Sequence, residues 1–334
     1  MTVKLMMFDL NWSMHSSPHK CTVPSAPQDW AFVDPREYFQ WHLDFGNNVV
    51  FLQAYTYGGY AFYPSRLGPV APGPGSQLLP KVFELTRKKG MPFWSYFCVG
   101  ADVAMNSYHP EWVVPGSRAH WQHGFLGPET PWTDLLCARI REFLSSYPAD
   151  WLIFDWFCYG EQVDHSFSVQ PAWFVERPFQ QIIGRPMPAD GMAITPEESL
   201  AYKRAVLEQQ FHRILDAVKS TSPETRVVFS PPYWGPAEPL WDGHAMLAES
   251  DGLVAEYSKP EIMEWLLRIR KPGQHLMGTP MGAGGTMEPV TILEWVERGC
   301  DLLGYFWAEP PGFAPDPSFG EGLAKVQEAF RRIP

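Results

Sequence analysis

The feature that most constrains this chain is a short apolar run that recurs eight times, each ending in a polar or glycine-rich stretch, with helix-patterned segments between runs. The runs are Val3–Phe8, Asn48–Gln53, Met91–Phe97, Trp151–Phe154, Arg226–Ser230, Leu253–Ala255, His275–Gly278 and Leu302–Trp307. Most are apolar nearly throughout rather than alternating, which is what a strand covered on both faces requires. Amphipathic segments lie between them at Pro80–Lys89, Thr133–Ser146, Ser258–Ile269, Glu288–Arg298 and Phe319–Arg332. A further long helix opens at Thr195-Pro-Glu-Glu and runs to about Ser220, with an N-cap threonine, proline at the first position and acids in the first turn. Strand–helix alternation predicts a parallel α/β sheet, and eight units predict closure as a (β/α)8 TIM barrel. No Gly-x-Gly-x-x-Gly opens a helix after the first run, which argues against a dinucleotide-binding sheet. Nothing reads as a linker, so residues 1–334 are taken as one domain.

Two long excursions, 11–35 and 156–194, follow the first and fourth runs. Both therefore leave the C-terminal ends of strands, where barrel active sites are built, and are expected to frame the cleft. Composition narrows the ligand. The chain holds 15 Trp, 13 Tyr and 22 Phe, more tryptophan than a core needs, and aromatic faces stack on the C–H faces of sugars. The net charge of −11 disfavours nucleic acid and anionic membrane surfaces as partners. No apolar run approaches the roughly 20 residues of a membrane span. The five cysteines form no C-x-x-C pair, and the N-terminus lacks an apolar signal-peptide core, so a reducing, cytoplasmic setting is expected. A homo-oligomer is compatible with all of this.

The residues that end barrel strands are the first to question. Asp155 directly follows WLIF and is trailed by Trp156, Phe157 and Tyr159; Glu256 directly follows LVA and is trailed by Tyr257. A carboxylate placed where an apolar strand opens into a cleft needs a partner, a proton or a task. Glycoside hydrolysis offers a task for two, one protonating the leaving oxygen and the other attacking the anomeric carbon or activating water. The plain alternative is that either acid only anchors a loop or a helix N-terminus. Asp9 (with Asn11 and Trp12 behind it), Asp102 and Glu309 are competing strand-end acids able to bind hydroxyls, and Glu309 is the rival of Glu256 as acid/base. Asp9, Asn11, Tyr55, Tyr57, Trp94, Trp156, Tyr233, Trp307 and Glu309 are expected to line the sugar site. No metal and no cofactor are expected. His15 and His19 are separated by a proline-containing loop, His120 and His123 have no carboxylate at ligand spacing, and no His-Glu-x-x-His or Gly-x-Ser-x-Gly occurs. Two other readings stay open: a metal- or base-dependent sugar isomerase or lyase on the same barrel, and a sugar-binding barrel without catalysis.

Several motifs, in order, resemble one family. Asn48-Val-Val-Phe-Leu-Gln-Ala-Tyr-Thr-Tyr-Gly-Gly-Tyr-Ala-Phe-Tyr-Pro-Ser65, Arg87-Lys-Lys-Gly-Met-Pro-Phe-Trp-Ser-Tyr-Phe97, His109-Pro-Glu-Trp112, Asp150-Trp-Leu-Ile-Phe-Asp155 and the insertion from Phe174 to Pro188 are similar to segments of alpha-L-fucosidases and related hypothetical glycosyl hydrolases. The likeness spans about residues 40–230. It implies a (β/α)8-barrel glycosidase acting with retention, with Asp155 in the place of the nucleophile. The chain departs from that pattern where the fucosidase His-His pair gives way to Tyr55 and Thr56, and no β-sandwich pattern follows the barrel. Glu256 rests on its strand-end position and on no motif.

Overall fold

The computed structural model describes residues 1–12, 26–117, 124–160, 168–230, 239–255, 260–282, 285–306, 308–309, 314–315 and 317–334, with backbone alone between 308 and 319. Eight parallel strands form one sheet: β1 (Lys4–Phe8), β2 (Val50–Phe51), β3 (Phe93–Cys98), β4 (Trp151–Asp155), β5 (Arg226–Ser230), β6 (Gly252–Ala255), β7 (His275–Gly278) and β8 (Asp301–Phe306). Around the sheet the order is β1-β8-β7-β6-β5-β4-β3-β2, so β1 pairs with β8 and strands adjacent in sequence pair from β2 onward. The remaining seam, between β1 and β2, is bridged by two asparagines. Asn48 N–H donates to Lys4 O at 3.1 Å, and the Asn48 and Asn47 Oδ1 atoms accept from Lys4 N and Met6 N, each at 2.8 Å. The sheet is thus a nearly closed (β/α)8 barrel.

Helices α1 (Pro35–Phe45), α2 (Leu78–Lys89), α3 (Val103–Tyr108), α4 (Pro131–Ser146), α5 (Glu176–Ile183), α6 (Pro196–Thr221), α7 (Ala245–Glu249), α8 (Pro260–Ile269), α9 (Pro289–Glu297) and α10 (Pro317–Arg332) fill the crossovers. Their ends follow local chemistry. Thr195 and Glu198 form a reciprocal capping box at the start of α6, and Gly46 and Gly90 close α1 and α2 in the left-handed conformation. Two cores result. One lies between sheet and helices and holds Phe97, Phe154 and Phe229 among many others. The second fills the barrel interior, with Leu5, Met7, Phe51, Trp94, Tyr96, Trp151, Ile153, Val228, Val254 and Met277. Residues of a strand alternate between the two, so both faces are apolar and the strands read as continuous runs. Outside the barrel, Met281–Gly282 pairs with Gly285–Thr286, and Ala308–Glu309 with Ala314–Pro315, as short antiparallel ribbons.

The candidate active site at the C-terminal ends of the strands

Asp155 is the last residue of β4, in register with Cys98 of β3 and Ser230 of β5. Its carboxylate accepts three hydrogen bonds: from Trp156 N at 2.8 Å, from the Tyr96 hydroxyl at 3.0 Å and from the Ser230 side chain. None of these partners is a cation. Burial outweighs the three donors and pushes the carboxyl up to about 6.

The turn after Asp155 is unusual. Trp156 has φ 58°, the one non-glycine residue at positive φ among those described. A conformation of this kind costs on the order of 1–3 kcal/mol and persists where the surroundings enforce it. Here the Trp156 carbonyl lies so close to Gly100 that a Cβ at position 100 would sit 2.5 Å from it. The turn sends the indole across the barrel mouth, where it meets Tyr57 at 5.1 Å and Trp12 at 6.1 Å between ring centroids; Trp12 and Tyr57 are 5.0 Å apart. Three rings therefore make a buried aromatic frame beside the carboxylate. Asp9, at the end of β1 on the same side of the barrel, is buried and accepts from Asn11 N at 3.1 Å. Asn11 in turn donates to the Tyr96 hydroxyl at 3.2 Å and accepts from Tyr57 N at 2.8 Å.

The structure thus brings Asp155, Asp9, Asn11, Tyr57 and Trp156 together. It does not bring Trp94 or Tyr55 to them. Trp94 faces the barrel interior but pairs in register with Trp151, four residues before Asp155, and its ring stacks on that of Trp151 at 5.0 Å. It belongs to the opposite end. Tyr55 lies in the helix layer: the Arg139 guanidinium sits 4.2 Å above its ring and its hydroxyl is 2.5 Å from Ser65 Oγ. Asp102 likewise turns away from the mouth. It caps α3 through Met105 N at 2.8 Å and pairs with Arg139 at 2.7 Å, both side chains almost wholly buried. Glu256, Tyr233 and Trp307 lie outside the described residues, and Glu309 is described only as backbone in its ribbon.

Tyr96, the residue that touches Asp155, carries no strand-end signal in the sequence. Its signal is parity, since it stands two residues from Cys98, which is level with Asp155. Glu129 is likewise silent in the sequence. It sits in the loop before α4, where it accepts from the Tyr202 and Tyr159 hydroxyls and is pushed up to about 7 by burial. Among the described residues, no three histidine, cysteine or acidic side chains converge as a set of metal ligands.

Fold and site together define the class: a (β/α)8 barrel with a partly buried, aromatic-framed carboxylate at the C-terminal end of its fourth strand. Comparison with solved structures finds the same fold in alpha-L-fucosidases. The whole chain superposes on alpha-L-fucosidase isoenzyme 2 from Paenibacillus thiaminolyticus with a TM-score of 0.72 at 17% identity, covering 49% of that chain. Alpha-L-fucosidase AlfC from Lactobacillus casei, in complex with its alpha-L-fucose product, aligns with 90% of this chain and 80% of its own, at a TM-score of 0.51 and 13% identity. This chain therefore spans about half the length of the Paenibacillus enzyme. At these identities the likeness is one of fold. No protein-family model matches the chain, and no curated protein matches it.

Proposed function

We propose that this chain is a glycoside hydrolase in which Asp155 is the nucleophile of a retaining reaction and Glu256 is its acid/base partner. The observation that carries the reading is the setting of Asp155. It is a carboxylate without a described cation, raised to about 6 and framed by Trp12, Tyr57 and Trp156. Near neutral pH such a group is mostly ionised yet poorly solvated, the state a nucleophile needs. The aromatic frame suits the C–H face of a sugar ring. In this scheme an Asp155 oxygen bonds to the anomeric carbon as the glycosidic C–O bond breaks, and Glu256 gives its proton to the leaving oxygen. Water then donates a proton to Glu256, attacks the anomeric carbon and releases Asp155. The fold shared with alpha-L-fucosidases supports the class of reaction and puts an α-L-fucoside first among substrates to try.

The test is a panel of aryl glycosides of both anomers. Wild type should turn over at least one, and Asp155→Ala should lose on the order of 10³-fold or more. NMR early in the reaction should show a product of retained configuration. Glu256→Ala should spare substrates with good leaving groups and respond to azide. Silence of the folded wild type across the panel would end the proposal. Full activity of Glu256→Ala on a poor leaving group would pass the acid/base role to Glu309.

A further inference from the structure

We infer that Tyr96 is a positioning residue whose hydroxyl proton is committed to Asp155, and that Asn11 enforces this commitment. The inference rests on Asp155 being the reactive carboxylate. The chain of constraints begins at a backbone amide. Tyr57 N–H donates to Asn11 Oδ1 at 2.8 Å, which turns the Asn11 Nδ2 group the other way. That group donates to the Tyr96 hydroxyl oxygen at 3.2 Å. An amide NH2 cannot accept, so the single Tyr96 proton is shut out from that side and points to Asp155 Oδ2, 3.0 Å away. Asn11 is itself tethered, its N–H donating to Asp9 Oδ1 at 3.1 Å. Asn11 and Tyr96 are almost wholly buried, so water does not offer the hydroxyl an easy alternative. Burial and the neighbouring acids push the Tyr96 hydroxyl well above its usual range, which keeps it a donor.

The other groups facing Asp155 are few among the described residues. Cys98 comes from β3, its thiol raised by burial and by Asp155; Ser230 comes from β5 and the Trp156 amide from the following turn. Asp9 faces Tyr96 from the end of β1. A donor aimed at a carboxylate favours its ionised form and opposes the burial that raises it. Through Asn11, the loop after β1 therefore sets the basicity of the acid that ends β4.

The experiment follows Asp155 itself. In protein with 13C-labelled aspartate, its carboxyl resonance is assigned by its loss in Asp155→Asn and titrated by NMR, beside the acid limb of kcat/KM. Tyr96→Phe removes only the hydroxyl and should move the midpoint upward by about one pH unit. From a start near 6, that shift means roughly a fivefold loss of kcat/KM at pH 6 and a smaller loss at pH 8. Asn11→Ala should move the midpoint the same way by less. An unmoved or lowered midpoint in Tyr96→Phe, with its melting curve intact, overturns the inference. A shift in Tyr96→Phe alone, with none in Asn11→Ala, overturns the directing role of Asn11. A shifted resonance in a protein that hydrolyses no glycoside sinks the hydrolase reading while leaving the relay standing.

Discussion

The two ends of this barrel use the same residue type in opposite ways. At the lower end, where strands begin, three aspartates stitch seams. Asp150 accepts from Phe93 N at 2.7 Å and pairs with Arg87 at 2.8 Å. Asp251 accepts from Val227 N at 2.8 Å and from Lys219 at 3.0 Å. Asp301 accepts from Val3 N at 2.7 Å and from His275 Nδ1 at 2.5 Å. His275 is held in that tautomer because Arg226, which can only donate, occupies its Nε2 at 3.0 Å. At the upper end Asp155 has hydroxyls and one amide for partners and follows β4 into a residue of positive φ. The lower acids each have a basic side chain for partner, whereas burial works against the charged form of the upper one. The difference separates a scaffold end from the end proposed to do the chemistry more sharply than exposure does.

Height in the barrel alone does not draw that line, and Asp102 shows why. It stands just past the upper end of β3, but it turns into the helix layer and meets Arg139, with side chains 3% and 1% exposed. Arg139→Leu would leave that carboxylate buried and unpaired, which costs about 3–5 kcal/mol. Denaturant unfolding should show a larger loss of stability here than for substitution of any acid at either end of the barrel. A loss under about 1 kcal/mol would mean that Asp102 finds water or another donor and is not an anchor.

A smaller effect is expected at the lower end. Asp301→Ala strands the Val3 N–H and the His275 Nδ1–H, a penalty of roughly 1–3 kcal/mol. Turnover per folded molecule should be unchanged at a temperature where the variant stays folded. A large fall in kcat with little change in unfolding would show that the lower end also takes part in catalysis, and the comparison would fail.

The smallest and most telling effect concerns Asp155 and pH. Its folded value near 6 lies above the ordinary 3.8, so the protonated form suits the fold better than the charged one. Stability from this group is present at low pH and lost as pH rises through the window from about 4 to 6. Asp155→Asn, which is always neutral, should melt about 1–3 °C above wild type at pH 8 and show no gain at pH 4. A variant less stable than wild type at pH 8 would place Asp155 with the stitching acids.

The sequence by itself determined the barrel. Eight runs separated by helix patterns admit few other closed arrangements, and the caps at Thr195, Gly46 and Gly90 act within a few residues of themselves. It also determined that Asp155 ends a strand, because that depends only on where an apolar run stops. What tertiary structure decided was side and height. Tyr55 and Tyr57 lie past the end of β2, where strand alternation no longer assigns a side, so the two looked alike in sequence. Tyr55 went to the helices and Tyr57 to the barrel mouth. Trp94 and Tyr96 share the interior, yet only strand register puts Trp94 level with Trp151 and Tyr96 within reach of Asp155. The link from Asn11 to Tyr96 spans 85 residues of sequence, and no local pattern foretells it, because it exists only once the barrel brings the end of β1 within reach of β3.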